Sequence, residues 1–297
     1  TDEHNLRTLG CYREQMRPEQ AFVWGKDNKV DTPHIDSLAR DGLLCTNYFA
    51  SSPVCTPSRA SWVSGLYPQA TGSPSNNLPL NDSIVTFAEV LRKRGYATSY
   101  LGKWHLDGDA KPGWGPARKF GFSDNRFMFN RGHWKKFEMT KNGPQVAARK
   151  KGGPSYDLDG ADDKSFATDW LVDRSLEILE RDKKKPFCLM LALPDPHGPN
   201  TVRAPYDTMY DHLTFKQPVT MRKVLAALQN RPGWVTGSNA VKMLSQTTLS
   251  RYFGMVRCID DNVGKILRFL EASELTEDTI VVFTSDHGDM MCEHCRM

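Results

Sequence analysis

Two short apolar runs, each closed by a polar cluster, constrain this chain more than any other feature. The first is Phe187-Cys188-Leu189-Met190-Leu191-Ala192-Leu193, opened by Pro186 and followed by Pro194-Asp195-Pro196-His197-Gly198-Pro199. The second is Thr279-Ile280-Val281-Val282-Phe283-Thr284, followed by Ser285-Asp286-His287-Gly288. Neither alternates apolar with polar residues. Each therefore reads as a strand buried on both faces, the pattern of a parallel sheet. A third strand is predicted over 96–101, running into a turn at Gly102. Ligands of open α/β sheets bind outside the carboxyl ends of the strands. Polar residues follow all three runs directly, so three segments aim chemistry at one edge.

Helices separate these runs. Thr32 and Pro33 read as an N-cap and first helical position, opening an amphipathic helix over 34–40 that Gly42 ends. A second is predicted over 82–94, with Ile84, Phe87, Ala88 and Leu91 on one face and Gly95 as its stop. A third covers 166–181, with Trp170, Leu171, Leu176 and Leu179 as apolar positions. The run Lys183-Lys184-Lys185 suits the negative end of that helix. Residues 221–230 and 249–273 read as further helices, and 194–218 as loop. The stretch 107–160 is rich in Gly, Pro, Lys and aromatics and has little periodicity, so it reads as an irregular excursion over the active-site face.

With 297 residues, 39% of them hydrophobic and 25% charged, the chain can bury a core and a water-excluded site, and nothing marks it as disordered or fibrous. Its net charge of +4 suits an anionic substrate. There is no Lys/Arg tract of the kind that binds nucleic acid, and no stretch approaches the roughly 18 apolar residues that span a bilayer. No nucleic-acid partner and no membrane span are expected. Seven scattered cysteines neither require nor exclude an oxidising compartment. The chain opens at Thr1 without a Met or a signal peptide, which is compatible with a leader removed or left out.

The chemistry-bearing strings are specific. Ser52-Pro53-Val54-Cys55-Thr56-Pro57-Ser58-Arg59-Ala60-Ser61 reads as a loop entering a helix. Its cysteine suits a packed thiol, or a thiol nucleophile whose pKa is lowered by Arg59 and the helix N-terminus. The full string resembles the type I sulfatase signature, Cys-x-Pro-Ser-Arg followed by Ala-Ser, and Ser64-Gly65 completes it. Trp62 and Val63 stand where leucine-like residues are more usual. Gly102-Lys103-Trp104-His105-Leu106 is similar to that family's Gly-Lys-Trp-His-Leu-Gly segment, with Asp107 where Gly is common. The cluster around His197 is similar to its Pro-His-x-Pro-like element. Thr1-Asp2-Glu3-His4 resembles the end of its first strand, where Asp-Asp or Asp-Gln pairs bind a divalent cation, with Glu3 as a departure. Ser285-Asp286-His287-Gly288-Asp289-Met290 resembles the distal half of that cation site. The resemblance covers nearly the whole chain in the family's order.

The resemblance implies an α/β, alkaline phosphatase-like sandwich: a large, mostly parallel central sheet with helices on both faces. It implies one catalytic domain over 1–297 that lacks the family's apolar first strand, a further sulfate-binding Lys and a smaller C-terminal subdomain. The implied activity is a sulfuric ester hydrolase acting on a sulfate monoester. Cys55 would be oxidised to formylglycine, whose hydrate carries two hydroxyls. One attacks sulfur and the alcohol leaves; the other expels sulfate. Arg59 would hold the hydrate, and Lys103 the sulfate oxygens. His105 would contact the formylglycine hydroxyl as a base for elimination, and His197 would protonate the leaving oxygen. Asp2, Glu3, Asp286 and His287 would bind Ca2+ or Mg2+, as oxygen-rich donors favour. Implied partners are a sulfated small molecule or glycan and a formylglycine-generating enzyme or equivalent. The implied location is periplasmic or secreted. A phosphodiesterase or phosphonate monoester hydrolase of the same superfamily, or an inactive non-enzymatic homologue, remains as an alternative.

Two features stand outside these strings. Cys292-Glu293-His294-Cys295 has zinc or redox spacing, but no second pair accompanies it and the family carries glycines at both cysteine positions. His133, Trp134, Lys135 and Lys136 lie in the excursion, where they line a sugar-sulfate pocket or form ordinary surface.

Overall fold

The computed structural model describes residues 1–221 and 245–296. Its strands are β1 (Ala97–Lys103), β2 (Asp124–Phe129), β3 (Phe137–Thr140), β4 (Gly143–Val146), β5 (Arg149–Lys150), β6 (Gly153–Pro154) and β7 (Phe187–Ala192). Its α-helices are α1 (Gly10–Arg13), α2 (Pro18–Ala21), α3 (Pro33–Asp41), α4 (Cys55–Ser64), α5 (Phe87–Lys93), α6 (Ala167–Asp182) and α7 (Gln246–Ala272).

β1 lies at the centre of a parallel sheet in the order β2-β1-β7. Alternation along the strands sends side chains to both faces. Leu101, Phe127 and Phe129 point to one face and pack with Trp170, Leu171 and Val172 of α6, Ile35 of α3 and Ile259 of α7. Tyr100, Met128 and Ala192 point to the other and pack with Ala60 and Val63 of α4 and Ala88 of α5. Helices therefore cover the sheet on both sides, as the α/β reading requires. The N-terminal half of α7 forms a second cluster in which Phe253 packs against Trp24, Tyr210 and Phe215.

Several expectations change. The 107–160 stretch is not wholly irregular. It supplies β2, a full member of the sheet, and the hairpins β3-β4 and β5-β6. The helix expected over 82–94 begins only at Phe87. Thr86 caps it by accepting from the Glu89 amide, while Arg118 donates to the carbonyls of Leu80 and Asn81 and holds the preceding residues in a turn. Thr32 does not cap α3. Its hydroxyl donates to Asp36, and the buried Asp260 carboxylate accepts from the amides of His34 and Ile35 instead. The helix expected over 221–230 lies, from 222 on, outside the described residues.

The two founding runs also differ from expectation. β7 is half-buried along most of its length, because among the described residues only β1 pairs with it. The 279–284 run forms no strand among the described residues: Ile280 is 92% exposed and Val282 76%. Apolar character marks both for a sheet interior, but among the described residues no strand lies against 279–284. The chain is tied there at its end, where the Thr1 amine donates to the Thr284 carbonyl and the Asp286 amide to the Thr1 carbonyl.

Gly102 marks where β1 hands over to the site. Its φ is +92°, and a Cβ there would lie 2.0 Å from the Ala192 carbonyl oxygen of β7. Gly102→Ala is expected to lower the unfolding free energy by about 3 kcal/mol, combining left-handed strain with a backbone clash. Urea denaturation would measure this, and a midpoint equal to that of the wild type would contradict it.

Candidate active site

The ends of all three parallel strands converge. β1 delivers Lys103 and His105, β2 leads through Asn130 to His133, and β7 leads through Leu193 to Asp195 and His197. On the helix-α4 side, Val54 is extended and Cys55 is the first helical residue; Gly65, in the left-handed conformation, ends the helix. Pro57 is tolerated because it falls in the first turn, where amides have no intrahelical acceptor. The Thr56 amide donates instead to Asn76 Oδ1 at 2.9 Å. Cys55 thus sits at the positive end of a helix, with Arg59 one turn further along the same face.

Buried charge surrounds the thiol. Cys55 Sγ lies 3.4 Å from His287 Nε2, 3.5 Å from Lys103 Nζ and 3.6 Å from Asp2 Oδ1. Lys103 Nζ donates to Asp2 Oδ2 at 2.5 Å. Arg59 Nε donates to Asp286 Oδ2 at 3.0 Å and its Nη1 to the Lys103 carbonyl at 2.6 Å. Asp286 Oδ1 accepts from the amides of Glu3 and His287, and Ser58 Oγ donates to the Asp286 carbonyl. Asp2, Lys103 and Asp286 are wholly enclosed, and Arg59 nearly so. Burial alone would neutralise Asp2, but Lys103 and Arg59 outweigh it and hold the carboxyl well below its usual range. Burial likewise opposes the Lys103 ammonium, and Asp2 overcomes that and raises it. Asp286 is pushed up, by burial and then by the nearby Asp2 carboxylate.

The thiol itself is not activated. Burial and Asp2 push Cys55 up to about 12. Arg59 and the helix terminus were one sequence-level route to a low thiol pKa. In the fold, carboxylates absorb the Arg59 charge, and desolvation decides the direction.

The histidines divide by environment. His105 has a left-handed backbone (φ +63°), and its Nε2 meets Asn77 Oδ1 at 2.9 Å; Nδ1 is buried with no partner among the described residues. Burial, followed by Lys103 and Arg59, lowers it to about 3. His133 is lowered well below its usual value by burial and by Lys103, whose Nζ is 2.7 Å from its Nε2. His197 differs. Burial opposes its charge, but Glu3, with Oε1 3.2 Å from His197 Nε2, raises it above its usual value. At neutral pH His105 and His133 are neutral, and His197 is the ring most ready to carry a proton.

Asp2, Cys55, Asp286 and His287 each offer a ligand atom, all within 4.8 Å of one another. Glu3 falls in a second, overlapping group with Cys55 and His197. The two buried carboxylates fit a hard divalent cation, which would offset the burial of Asp286 and relieve its repulsion with Asp2. Glu3 engages His197 rather than joining the first four. Sequence reading missed Asn76 and Asn77, which hold Thr56 and His105, and did not foresee that His133 stacks on His197 with ring centroids 3.3 Å apart. Of the other excursion residues, Trp134 is buried against Tyr156, Lys135 is fully buried and Lys136 bonds the Asp159 carbonyl, so of the four only His133 reaches the site.

Fold and site together define an alkaline phosphatase-like α/β protein with a cysteine-centred, charge-lined site at its strand ends. The sequence profile described as Sulfatase matches residues 19–295, and the chain belongs to the sulfatase family. It is 31% identical over 278 residues to an ulvan-active sulfatase of Formosa agariphila, covering 91% of this chain and 48% of that protein. It is 24% identical over 363 residues to an N-acetylglucosamine-6-O-sulfatase of Bacteroides thetaiotaomicron, covering 99% of this chain and 58% of that protein. The crystal structure of a phosphonate monoester hydrolase of Agrobacterium radiobacter shares the fold, with a TM-score of 0.66 at 21% identity, over 99% of this chain and 62% of that one. The chain spans about half the length of the curated relatives it matches.

Beside the site, His4 is buried with both ring nitrogens unpartnered among the described residues and its ring edge-on to Phe283. Burial lowers it to about 3. Between pH 6.5 and 3 the unfolded chain binds a proton that the folded chain refuses, so stability falls as pH drops through that window. His4→Phe is expected to flatten this acid limb by about 1.4 kcal/mol per pH unit, measured by urea unfolding at several pH values. An unchanged slope would contradict the buried, neutral ring.

Proposed function

We propose that the protein hydrolyses sulfate monoesters, with formylglycine formed from Cys55 as nucleophile and a divalent cation, Ca2+ or Mg2+, held by Asp2, Asp286 and His287. The observation that carries this reading is the meeting of Cys55 Sγ with Asp2, Lys103 and His287 at the N-terminus of α4. A thiol pushed up to about 12 is a poor nucleophile at neutral pH, and an aldehyde hydrate at the same position needs no thiolate. The Cys55 sulfur therefore marks where the hydrate oxygens sit. When bound, the cation screens a sulfate oxygen and lowers the pKa of the nucleophile.

The chain's own residues supply the rest. Lys103 points its ammonium at position 55 and meets the charge of the transferred group. Arg59 braces Asp286 and the Lys103 carbonyl, which fixes both ends of the charged cluster. His197, kept protonatable by Glu3, is the donor to the leaving oxygen. His105, neutral and oriented by Asn77, is the acceptor for the elimination that frees sulfate. The substrate class is a sulfated glycan or small sulfate ester, as for the N-acetylglucosamine-6-O-sulfatase relative. A formylglycine-generating enzyme or equivalent is the maturation partner.

The test is a paired assay on one aryl alcohol as its sulfate monoester and as its phosphate and phosphonate esters. The sulfate is expected to turn over faster by at least tenfold, about 1.4 kcal/mol of transition-state preference. Faster phosphoester cleavage would replace the sulfatase reading with the phosphodiesterase one, and no turnover by aldehyde-bearing protein would favour an inactive homologue.

A further inference from the structure

A fully buried ammonium lies behind the site and takes no part in the chemistry above. Lys135 Nζ donates to Asp195 Oδ1 at 2.6 Å, to the His197 carbonyl at 3.1 Å and to Met255 Sδ at 3.3 Å. Its three N–H donors are thereby used. The other Asp195 oxygen accepts from Thr168 Oγ1 of α6 at 2.6 Å, and the Asp195 carbonyl accepts from the Asp2 amide. The Lys135 carbonyl in turn accepts from the Ala167 amide. One ion pair thus joins the segment carrying His133, the loop carrying His197, both long helices and the Asp2 backbone. A buried pair of this kind is weak evidence for stability, since an apolar pair often does as well. What an apolar pair cannot do is hold the His197 carbonyl.

We propose that the Lys135–Asp195 pair is the positioning element of the His133–His197 stack, setting His197 against the leaving group without touching substrate. His197 is then fixed on three sides: its carbonyl by Lys135, its ring face by His133 and its Nε2 by Glu3. His133 lies two residues before Lys135, so the same anchor locates both rings. The role in turnover rests on the sulfate-ester reading; the geometric role does not.

The experiment compares Lys135→Met, Asp195→Leu and the double variant, each alone and with His197→Ala, in the intact aldehyde-bearing protein. Lys135→Met is expected to lower both melting temperature and kcat, the latter by about 100-fold with KM little changed. The double variant is expected to regain the melting temperature and keep the kcat loss. In the His197→Ala background it is expected to cost less than about twofold more, because the residue it acts through is gone. Recovery of kcat together with stability, or an equal loss without His197, would overturn the proposal. Thr168→Val, which loosens Asp195 alone, serves if the single charge variants do not fold, with the same kcat-only loss expected. If the wild type turns over no sulfate ester, the functional reading fails by itself. The positioning claim is then decided by the ring-current-shifted proton resonances of His133 and His197, which move in the double variant if the pair places the stack and stay put if it does not.

Discussion

Everything at the site depends on how two buried carboxylates are neutralised. Asp2 and Asp286 come from opposite ends of the chain and meet where the Asp286 amide bonds the Thr1 carbonyl. Two cations match them: Lys103 from the end of β1 pairs with Asp2, and Arg59 from the first turns of α4 pairs with Asp286 and also approaches Asp2 at 3.6 Å. Isolated, any one of these charges would cost several kcal/mol to bury, and removing one partner typically costs about 3–5 kcal/mol. Together they hold Asp2 ionised, and Lys103 charged, beside position 55. Burial and then the Asp2 carboxylate raise Asp286, and a divalent cation would relieve the repulsion between the two carboxylates.

The fold makes this meeting possible because its strands are parallel. Parallel β1, β2 and β7 end on one edge, so residues far apart in sequence arrive together. Gly102 lets β1 leave the sheet against the Ala192 carbonyl at a φ of +92°. His105 follows in a left-handed conformation, of the kind that clusters at functional sites at a cost of about 1–3 kcal/mol. Helix α4 brings its N-terminus to the same edge from the opposite face of the sheet to α6. The site is therefore a product of topology, and its histidines acquire different proton affinities from what each strand end places beside them.

Much of this was legible in the sequence, because the informative strings are local. Cys55 with Arg59, Lys103 with His105, and Asp286 with His287 each sit within one turn or one strand end; the structure brings Lys103 and His287 to the Cys55 sulfur and links Arg59 to Asp286 beside it. Family membership and the alkaline phosphatase-like fold were legible for the same reason. Contacts between distant segments were not. Glu3 reaches His197, Lys135 reaches Asp195 and Asn77 reaches His105 with no local pattern to signal it. Strand β2 was hidden because its first half, Asp124-Asn125-Arg126, is polar and leaves only three apolar residues after it, so a strand that leads to the site read as irregular chain. The 279–284 run failed in the opposite sense: apolar composition shows that a segment suits a sheet interior and does not supply its neighbours.

The account stands most directly on the chemical state of residue 55. Protein from its native host, digested and analysed by mass spectrometry, should show the peptide spanning Cys55 with an aldehyde that a hydrazine reagent traps and iodoacetamide leaves untouched. An unmodified, alkylatable thiol at position 55 in protein that turns over sulfate esters would contradict it.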